Sequence, residues 1–193
     1  GLALADVLFG EVNPSGTLPF TFPRRLEDNS AHALGEHPGT RDSVRYREGI
    51  FVGYRWHERQ RIAPLFAFGH GLSYTTFDYA NVRADRKTLS RSGRIRVSVD
   101  VTNTGDRAGK EVVQLYIGDR ESALPRPVKE LKGFSKVSLE PGETRTVSFE
   151  ITPEALQYYD DATGLWTAEE GIFDAWVGAA SDDIRGSVEF TLK

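Results

Sequence analysis

The sequence of 193 residues contains neither cysteine nor methionine. Without cysteine there can be no disulfide, no thiolate metal site and no cysteine nucleophile. Because protein synthesis starts on methionine, we expect Gly1 to be either a processed end or, preferentially, an internal cut. A signal peptide would then precede Gly1. The sequence therefore leaves a secreted, a periplasmic and a cytoplasmic location equally open.

The sequence also lacks a net positive charge and long apolar runs. The formal net charge is -4 and the pI is about 5.6, so the sequence predicts no basic face for nucleic acid. No apolar run approaches the roughly 20 residues of a membrane-spanning helix, so a membrane is not an expected partner. Apolar residues make up 39% and charged residues 27%, which is ordinary for a globular domain with a core.

The first 80 residues give a mixed and incomplete pattern. Leu2 to Phe9 predict a short helix that is apolar on nearly every side and needs cover, and Gly10 ends it. The segments "TLPFTF" (17–22) and "EGIFVGYRW" (48–56) each predict a strand, and residues 24–45 predict a long surface loop. These pieces make no self-contained core, which favours the interpretation of Gly1 as a cut.

From residue 95 onward the pattern is regular. Val97, Val99 and Val101 alternate with polar residues, as in a half-buried strand. Further strands are predicted around residues 111–118, 128–139, 147–151, 171–178 and 184–192, with Gly, Pro, Asn and Asp between them. About seven short strands at regular spacing predict a β-sandwich of about 100 residues. The absence of a cysteine pair argues against an antibody-type immunoglobulin-like domain and is neutral for a fibronectin type III-like one.

Several motifs carry a resemblance to a known family. The quoted segments are "ALADVLFGEVNPSGTLPFTFP", "YREGIFVGYRW", "PLFAFGHGLSYTTFDY", "VTNTGDRAGKEVVQLYIGD", "RPVKELKGFSKVSLEPGET" and "GIFDAWVGAASDDIR". In this order they resemble the C-terminal portion of family 3 glycoside hydrolases of the β-glucosidase type. The resemblance implies a mainly β fold: residues 1–80 are the end of an α/β sandwich domain with a linker, and residues 81–193 are a fibronectin type III-like domain.

The resemblance also implies a reaction. Family members are retaining hydrolases, and such chemistry needs two carboxyl groups about 5 to 5.5 Å apart. The family's nucleophilic aspartate belongs to an N-terminal (β/α)8 barrel, and its acid/base glutamate precedes the match to Gly1. No catalytic residue and no cofactor is therefore assigned to this chain. The implied partners are the rest of the parent enzyme, with its barrel and α/β sandwich domains, and an oligosaccharide or β-glycoside, with β-glucosidase and β-xylosidase types both open.

Three residues remain as candidates for the rim of a substrate site. Tyr46 and Glu48 lie in the second motif, and we expect Glu48 to be structural, paired with Arg47 or Arg55. His70 lies between two glycines among aromatic residues, and packing is the favoured role for it. An acid or base role would need a tuned pKa and a facing carboxylate.

The other histidines suggest no metal site. His32 and His37 lie in the polar loop without the spacing of known zinc motifs. His57 lies in the charged segment "WHERQR", where a solvated side chain is expected.

Aromatic residues of the second half suggest an alternative. They are Tyr158, Tyr159, Trp166, Phe173 and Trp176. Together they could stack on sugars, as in an autonomous carbohydrate-binding or adhesive module, and a complete small hydrolase is a third hypothesis. Core packing is favoured for Phe173 and Trp176, which are three apart in a strand and cannot both face outward.

Overall fold

The structure, a computed structural model, describes residues 1–193. Its elements are three short helices and ten strands. The helices are α1 (Leu2–Leu8), α2 (Ser30–Ala33) and α3 (Tyr54–Gln60). The strands are β1 (Phe77–Ala84), β2 (Thr88–Leu89), β3 (Ile95–Asn103), β4 (Gly109–Asp119), β5 (Glu130–Leu139), β6 (Thr144–Ile151), β7 (Tyr158–Asp160), β8 (Leu165–Thr167), β9 (Gly171–Ala180) and β10 (Asp183–Leu192).

Two sheets form the predicted sandwich. One has the order β1-β3-β6 and is antiparallel, and the other has the order β2-β10-β9-β4-β5, in which only β2 pairs in parallel. The strands β7 and β8 form a separate hairpin. The first strand of the sandwich begins at Phe77, which the sequence analysis did not predict as a strand; the division after residue 80 stays a prediction.

The core lies between the two sheets. Alternating positions of β3 point into it, and Val97 and Val99 are fully buried as predicted. Phe173 of β9 stacks on Phe190 of β10 with ring centroids 5.7 Å apart, and both belong to this cluster. The alternation read from the sequence therefore does build a two-layer β-sandwich.

Strand β4 is buried on both of its faces. Val113, Leu115 and Ile117 point into the core, while Gln114 and Tyr116 point away from it and are still almost completely buried. The cover on this outer face is provided by residues 1–76, which pack against it. The sandwich is thus a platform for the N-terminal part of the chain.

Residues 1–76 contain helices and two isolated bridges rather than a sheet. Helix α1 is confirmed, and Gly10 follows it with φ +82°. The strand predicted at 17–22 is wrong, since only Thr17 and Phe22 form bridges, to Gly71 and Phe66. A lone extended segment needs a partner strand to satisfy its backbone, and here the pairing stops after single residues.

The strand predicted at 48–56 is also wrong. Gly53 adopts φ +57° and the chain then forms α3. The apolar residues Ile50 and Val52 are exposed and not part of a sheet. The loop predicted at 24–45 is confirmed apart from one 3-10 turn and α2, and no helix of the chain is long and apolar enough to cross a membrane.

Candidate functional site

An aromatic cluster joins α3 and the 64–74 segment to the sandwich. The ring of Tyr54 lies 5.0 Å from that of Phe68 and 5.9 Å from that of Tyr116. The Tyr54 hydroxyl accepts a hydrogen bond of 2.9 Å from the backbone N–H of Leu131. The three rings contribute apolar area at the junction, and the Tyr54 hydroxyl adds a directed polar contact.

A buried amide fixes the position of the segment around His70. Gln114 Nε2 donates to the carbonyl oxygens of Gly69 and Ala179, and Gln114 Oε1 accepts from the hydroxyl of Tyr116. The backbone of Phe68 accepts a further bond of 2.9 Å from the N–H of Ser181. A satisfied buried network of this kind is rigid, so it holds the 68–71 turn at one place on β4 and β9.

Charged pairs continue the junction along α3 and β5. Glu58 bonds to Lys129, and Arg55 lies 3.0 Å from Glu130. Burial raises the pKa of Glu58, with the Lys129 ammonium acting against that rise. Burial acts in the same direction on Glu130, but the nearby cations, including Arg55, outweigh it and lower the pKa of Glu130. These pairs hold α3 in one register on the sandwich.

Of the three rim candidates, only His70 lines one of the principal cavities. Tyr46 is 81% exposed, and neither Tyr46 nor Glu48 lines any of the five principal cavities. His70 is half-buried, and its ring lies 5.2 Å from that of Phe66. The backbone of His70 bonds to Leu18 and Ala67, while its imidazole makes no hydrogen bond.

The pairing expected for Glu48 is wrong. Arg47 bonds instead to Glu36 and to the carbonyl of Leu34, and Arg55 pairs with Glu130. One carboxylate oxygen of Glu48 is buried without a hydrogen-bond partner. The error has a clear source: with α3 in place of the predicted strand, Arg55 faces β5 and not its own loop.

The prediction for His57 is wrong as well. His57 is only 6% exposed, and its Nδ1 lies 3.1 Å from the carbonyl oxygen of Ile62. Helix α3 turns this side chain toward the junction. The rings of His32 and His37 lie 4.4 Å apart, a proximity that the sequence did not predict, but no cluster of three or more metal-ligating side chains exists.

A polar cavity of about 420 Å³ lies where the His70 segment meets the sandwich. Its wall includes Lys110, Glu111 and Arg185, which sequence reasoning missed because they lie far from His70 along the chain. The carboxylate of Glu111 accepts a bond of 2.8 Å from the Tyr79 hydroxyl, and burial raises the pKa of Glu111. The cavity is thus lined by fixed charges and hydroxyls at the edge of the junction.

The five aromatic residues of the sandwich separate into different environments. Phe173 is fully buried in the core, and Trp176 lies on the opposite face of β9, paired with Tyr116. The prediction that these two cannot both face outward is confirmed, but the core packing expected for Trp176 is wrong, because Trp176 is half-buried and lies outside the core cluster. Tyr159 and Trp166, in contrast, form an exposed pair on the β7–β8 hairpin.

Comparisons with known proteins agree with this architecture. Residues 1–74 match the glycosyl hydrolase family 3 C-terminal domain, and residues 111–181 match a fibronectin type III-like domain. The chain is 55% identical to β-glucosidase BoGH3A of Bacteroides ovatus, covering 98% of this chain and 26% of that protein. It is 52% identical to thermostable β-glucosidase B of Acetivibrio thermocellus, covering 95% of this chain and 24% of that protein.

Solved structures give the same result. The crystal structure of a GH3 β-glucosidase from Bifidobacterium adolescentis superimposes with a TM-score of 0.92 at 38% identity, covering 100% of this chain and 28% of that one. The chain therefore spans about a quarter of the length of these relatives. The resemblance read from the motifs is confirmed. By its two matched domains, their order and its relatives, the chain belongs to glycoside hydrolase family 3 and corresponds to the C-terminal part of its β-glucosidases.

Proposed function

We propose that this chain is the accessory C-terminal region of an enzyme that hydrolyses terminal β-linked sugars with retention, and that the catalytic carboxylates come from the remainder of a longer polypeptide. The relatives that carry the name β-glucosidase are about four times as long, which supports a division of labour between this region and others. The role assigned to this region is to support the neighbouring domain and to shape the rim of its substrate site.

One observation carries this proposal: the surface of residues 1–74 is unusually apolar. Large apolar side chains are exposed at fifteen positions in this part of the chain and at only six in the rest. The fifteen are Leu2, Leu4, Leu8, Phe9, Val12, Phe20, Leu26, Val44, Tyr46, Ile50, Val52, Leu65, Phe66, Leu72 and Tyr74. An apolar surface of this extent marks an interface, and we call it the N-terminal apolar face.

Helix α1 shows the effect most clearly. None of its residues is buried, and the side chains of Leu2 and Leu8 are 85% and 68% exposed. A helix that is apolar on all sides is stable only when other elements surround it. Each fully covered leucine would contribute about 1.5–3 kcal/mol, which is enough for a few such side chains to hold two domains together.

The rim role is proposed for Tyr46, Glu48 and His70. Tyr46 lies within the N-terminal apolar face, and the unpaired oxygen of Glu48 is an acceptor without a partner in this chain. The turn that carries His70 is fixed from below by Gln114. Such residues can shape or close a site on a neighbouring domain without carrying out acid or base chemistry.

A chimera tests the proposal. The C-terminal quarter of the Bacteroides ovatus β-glucosidase is replaced by this chain, and release of nitrophenol from aryl β-glucoside and β-xyloside is measured. We expect the chimera to hydrolyse the β-glucoside and the 193-residue chain alone to release nothing above background. A matched pair of chimeras carries Leu4→Asp in the apolar face or Leu165→Asp on the distant hairpin, and only the first is expected to lose activity.

Two results would overturn the proposal. One is a soluble, folded chimera without any activity. The other is turnover by the chain alone, examined further with Glu48→Gln: retained turnover would reveal another carboxylate pair in this chain, and lost turnover would make Glu48 catalytic.

A further inference from the structure

The β7–β8 hairpin carries two aromatic side chains that the proposed function does not use. Tyr159 and Trp166 are paired directly across the hairpin, with ring centroids 5.6 Å apart and planes at 66°. They are 53% and 65% exposed. Large aromatic side chains exposed together on a surface mark a binding site more often than isolated ones do.

The hairpin holds these rings in a defined geometry. In its turn, the backbone oxygen of Asp160 accepts from Gly164, and the side chain of Asp160 accepts from the N–H of Ala162 and the hydroxyl of Thr163. Gly164 has φ +70°, which suits glycine. A ligand therefore meets rings that are already in place, and binding costs little ordering.

Both ends of the hairpin are anchored to the sandwich. Before it, Leu156 is fully buried, and the Arg126 guanidinium lies over the ring of Tyr158 on the other face of β7. After it, the carbonyl of Ala168 accepts from Arg91, and Glu169 accepts from the N–H of Ala123. The exposed pair is thus a fixed projection of the sandwich.

The two rings have different roles. Their planes are too far from parallel for both to stack on one flat ligand. The larger and more exposed indole of Trp166 offers an open face, while Tyr159 packs against it edge-on. We assign Trp166 as the stacking surface and Tyr159 as the side chain that holds it.

The charges around the pair select the ligand class. Asp160 and Asp161 lie in the adjoining turn, and no lysine or arginine lies over either ring of the pair. Anionic ligands are disfavoured here by repulsion, whereas carboxylates next to an aromatic face suit a neutral molecule with an apolar face and hydroxyl groups at its edge. A β-glucopyranose unit has both features, since its C–H groups cover the ring faces and its hydroxyls are equatorial.

We propose that Tyr159 and Trp166 form a binding site for a neutral β-glucan chain. The choice of a glucan over another neutral saccharide rests on the proposed function. The existence of the stacking site rests on the hairpin alone.

The test measures binding by the 193-residue chain to cellohexaose and laminarihexaose by calorimetry and to a soluble β-glucan by affinity electrophoresis. Trp166→Ala is expected to weaken binding at least about tenfold, or about 1.4 kcal/mol, and Trp166→Phe to retain most of it. Leu165→Ala is the matched control, because Leu165 is 63% exposed but lies on the opposite face of the same hairpin. Circular dichroism checks that every variant folds.

Three results would overturn the inference. The wild-type chain could fail to bind either oligosaccharide, or Leu165→Ala could weaken binding as much as Trp166→Ala, which would indicate general adhesion. Self-association lost on Trp166→Ala, without any glucan binding, would make the hairpin a protein interface. Glucan binding in the absence of chimera activity would leave this inference standing while contradicting the proposed function.

Discussion

Gly69 lies where the His70 turn meets the buried amide of Gln114, and Gly69→Ala is expected to destabilise the chain through that contact. Gly69 has φ +84°, and a Cβ placed there would lie 2.5 Å from Gln114 Nε2 and 2.8 Å from Gln114 Cδ. These separations are far inside van der Waals contact, so the amide has to move. Its bonds with Ala179 and Tyr116 would then break or weaken.

Two terms contribute to the expected loss. An alanine in the left-handed region costs about 1–2 kcal/mol. A buried polar group that loses its partner costs about 1–3 kcal/mol. Added together, these two terms predict that the free energy of unfolding falls by about 2–5 kcal/mol in Gly69→Ala.

The control is Gly142→Ala. Gly142 has φ +75° and nothing within 4 Å of its added Cβ, so this variant carries the backbone term alone. We expect it to lose about 1–2 kcal/mol. The measurement is denaturant unfolding of both variants, and a loss of 1 kcal/mol corresponds to roughly 2–4 °C in Tm for a chain of this size.

A double-mutant cycle isolates the contact. In a Gln114→Ala background the added methyl group at position 69 has room, so the cost of Gly69→Ala should fall to that of Gly142→Ala. Equal losses for Gly69→Ala and Gly142→Ala in the wild-type background would refute the reasoning. So would an unchanged cost of Gly69→Ala after removal of the Gln114 side chain.

Three further predictions concern acid stability, the His70 segment and the domain division. Hydrogen bonds from Thr146 and other side chains lower the pKa of Asp100 to about 2. The ionised Asp100 therefore stabilises the folded chain above pH 4, and this contribution to the free energy of unfolding is lost as the pH falls toward 2. The unfolding midpoint of Asp100→Asn should accordingly depend less on pH between 4 and 2 than that of the wild type. In the chimera, Phe68→Ala should lower stability by about 1–3 kcal/mol and reduce turnover more than His70→Ala, and loss of one limb of the pH-rate curve in His70→Ala at unchanged Tm would instead make His70 a catalyst. Limited proteolysis of the chain should leave a resistant core that contains the strands from Phe77 onward, and a resistant N-terminal core of similar size would contradict the division between 1–80 and 81–193.

The sandwich could be predicted because its signal is local. Alternation at Val97, Val99 and Val101 reflects one buried face and one polar face, and neighbouring turns delimit the strand. The alternation fails where both faces are covered: Gln114 and Tyr116 look like solvent-facing residues of β4 but are buried by a segment far away in the chain. Their burial depends on tertiary packing that no local pattern contains.

The N-terminal part was predicted less well for a related reason. The segment 48–56 is rich in apolar and aromatic residues, which favours a strand when read alone. Those residues do not pair with a strand here, and Gly53 redirects the chain into α3. That helix then determines the partner of Arg55 and the burial of His57, so one wrong element produced two further wrong expectations.

The candidate site could be predicted only in part. The motifs placed Tyr46, Glu48 and His70 in the family pattern, but only the fold shows that His70 alone of the three lines a principal cavity. The charged wall near His70, with Glu111 and Arg185, assembles from segments distant in sequence. The sequence indicated Tyr159 and Trp166 as two of several aromatic residues, but it did not predict that they pair across β7 and β8.

Hydroxyl-radical footprinting of the chain alone and within the chimera tests the central claim most directly, because it reports the accessibility of individual side chains. If the N-terminal apolar face packs against the rest of a family 3 polypeptide, labelling of Leu2, Leu8 and Leu72 should fall strongly in the chimera, while labelling of Trp166 should stay the same. Unchanged labelling of α1 and Leu72 in a folded chimera would contradict the claim that this face is a domain interface.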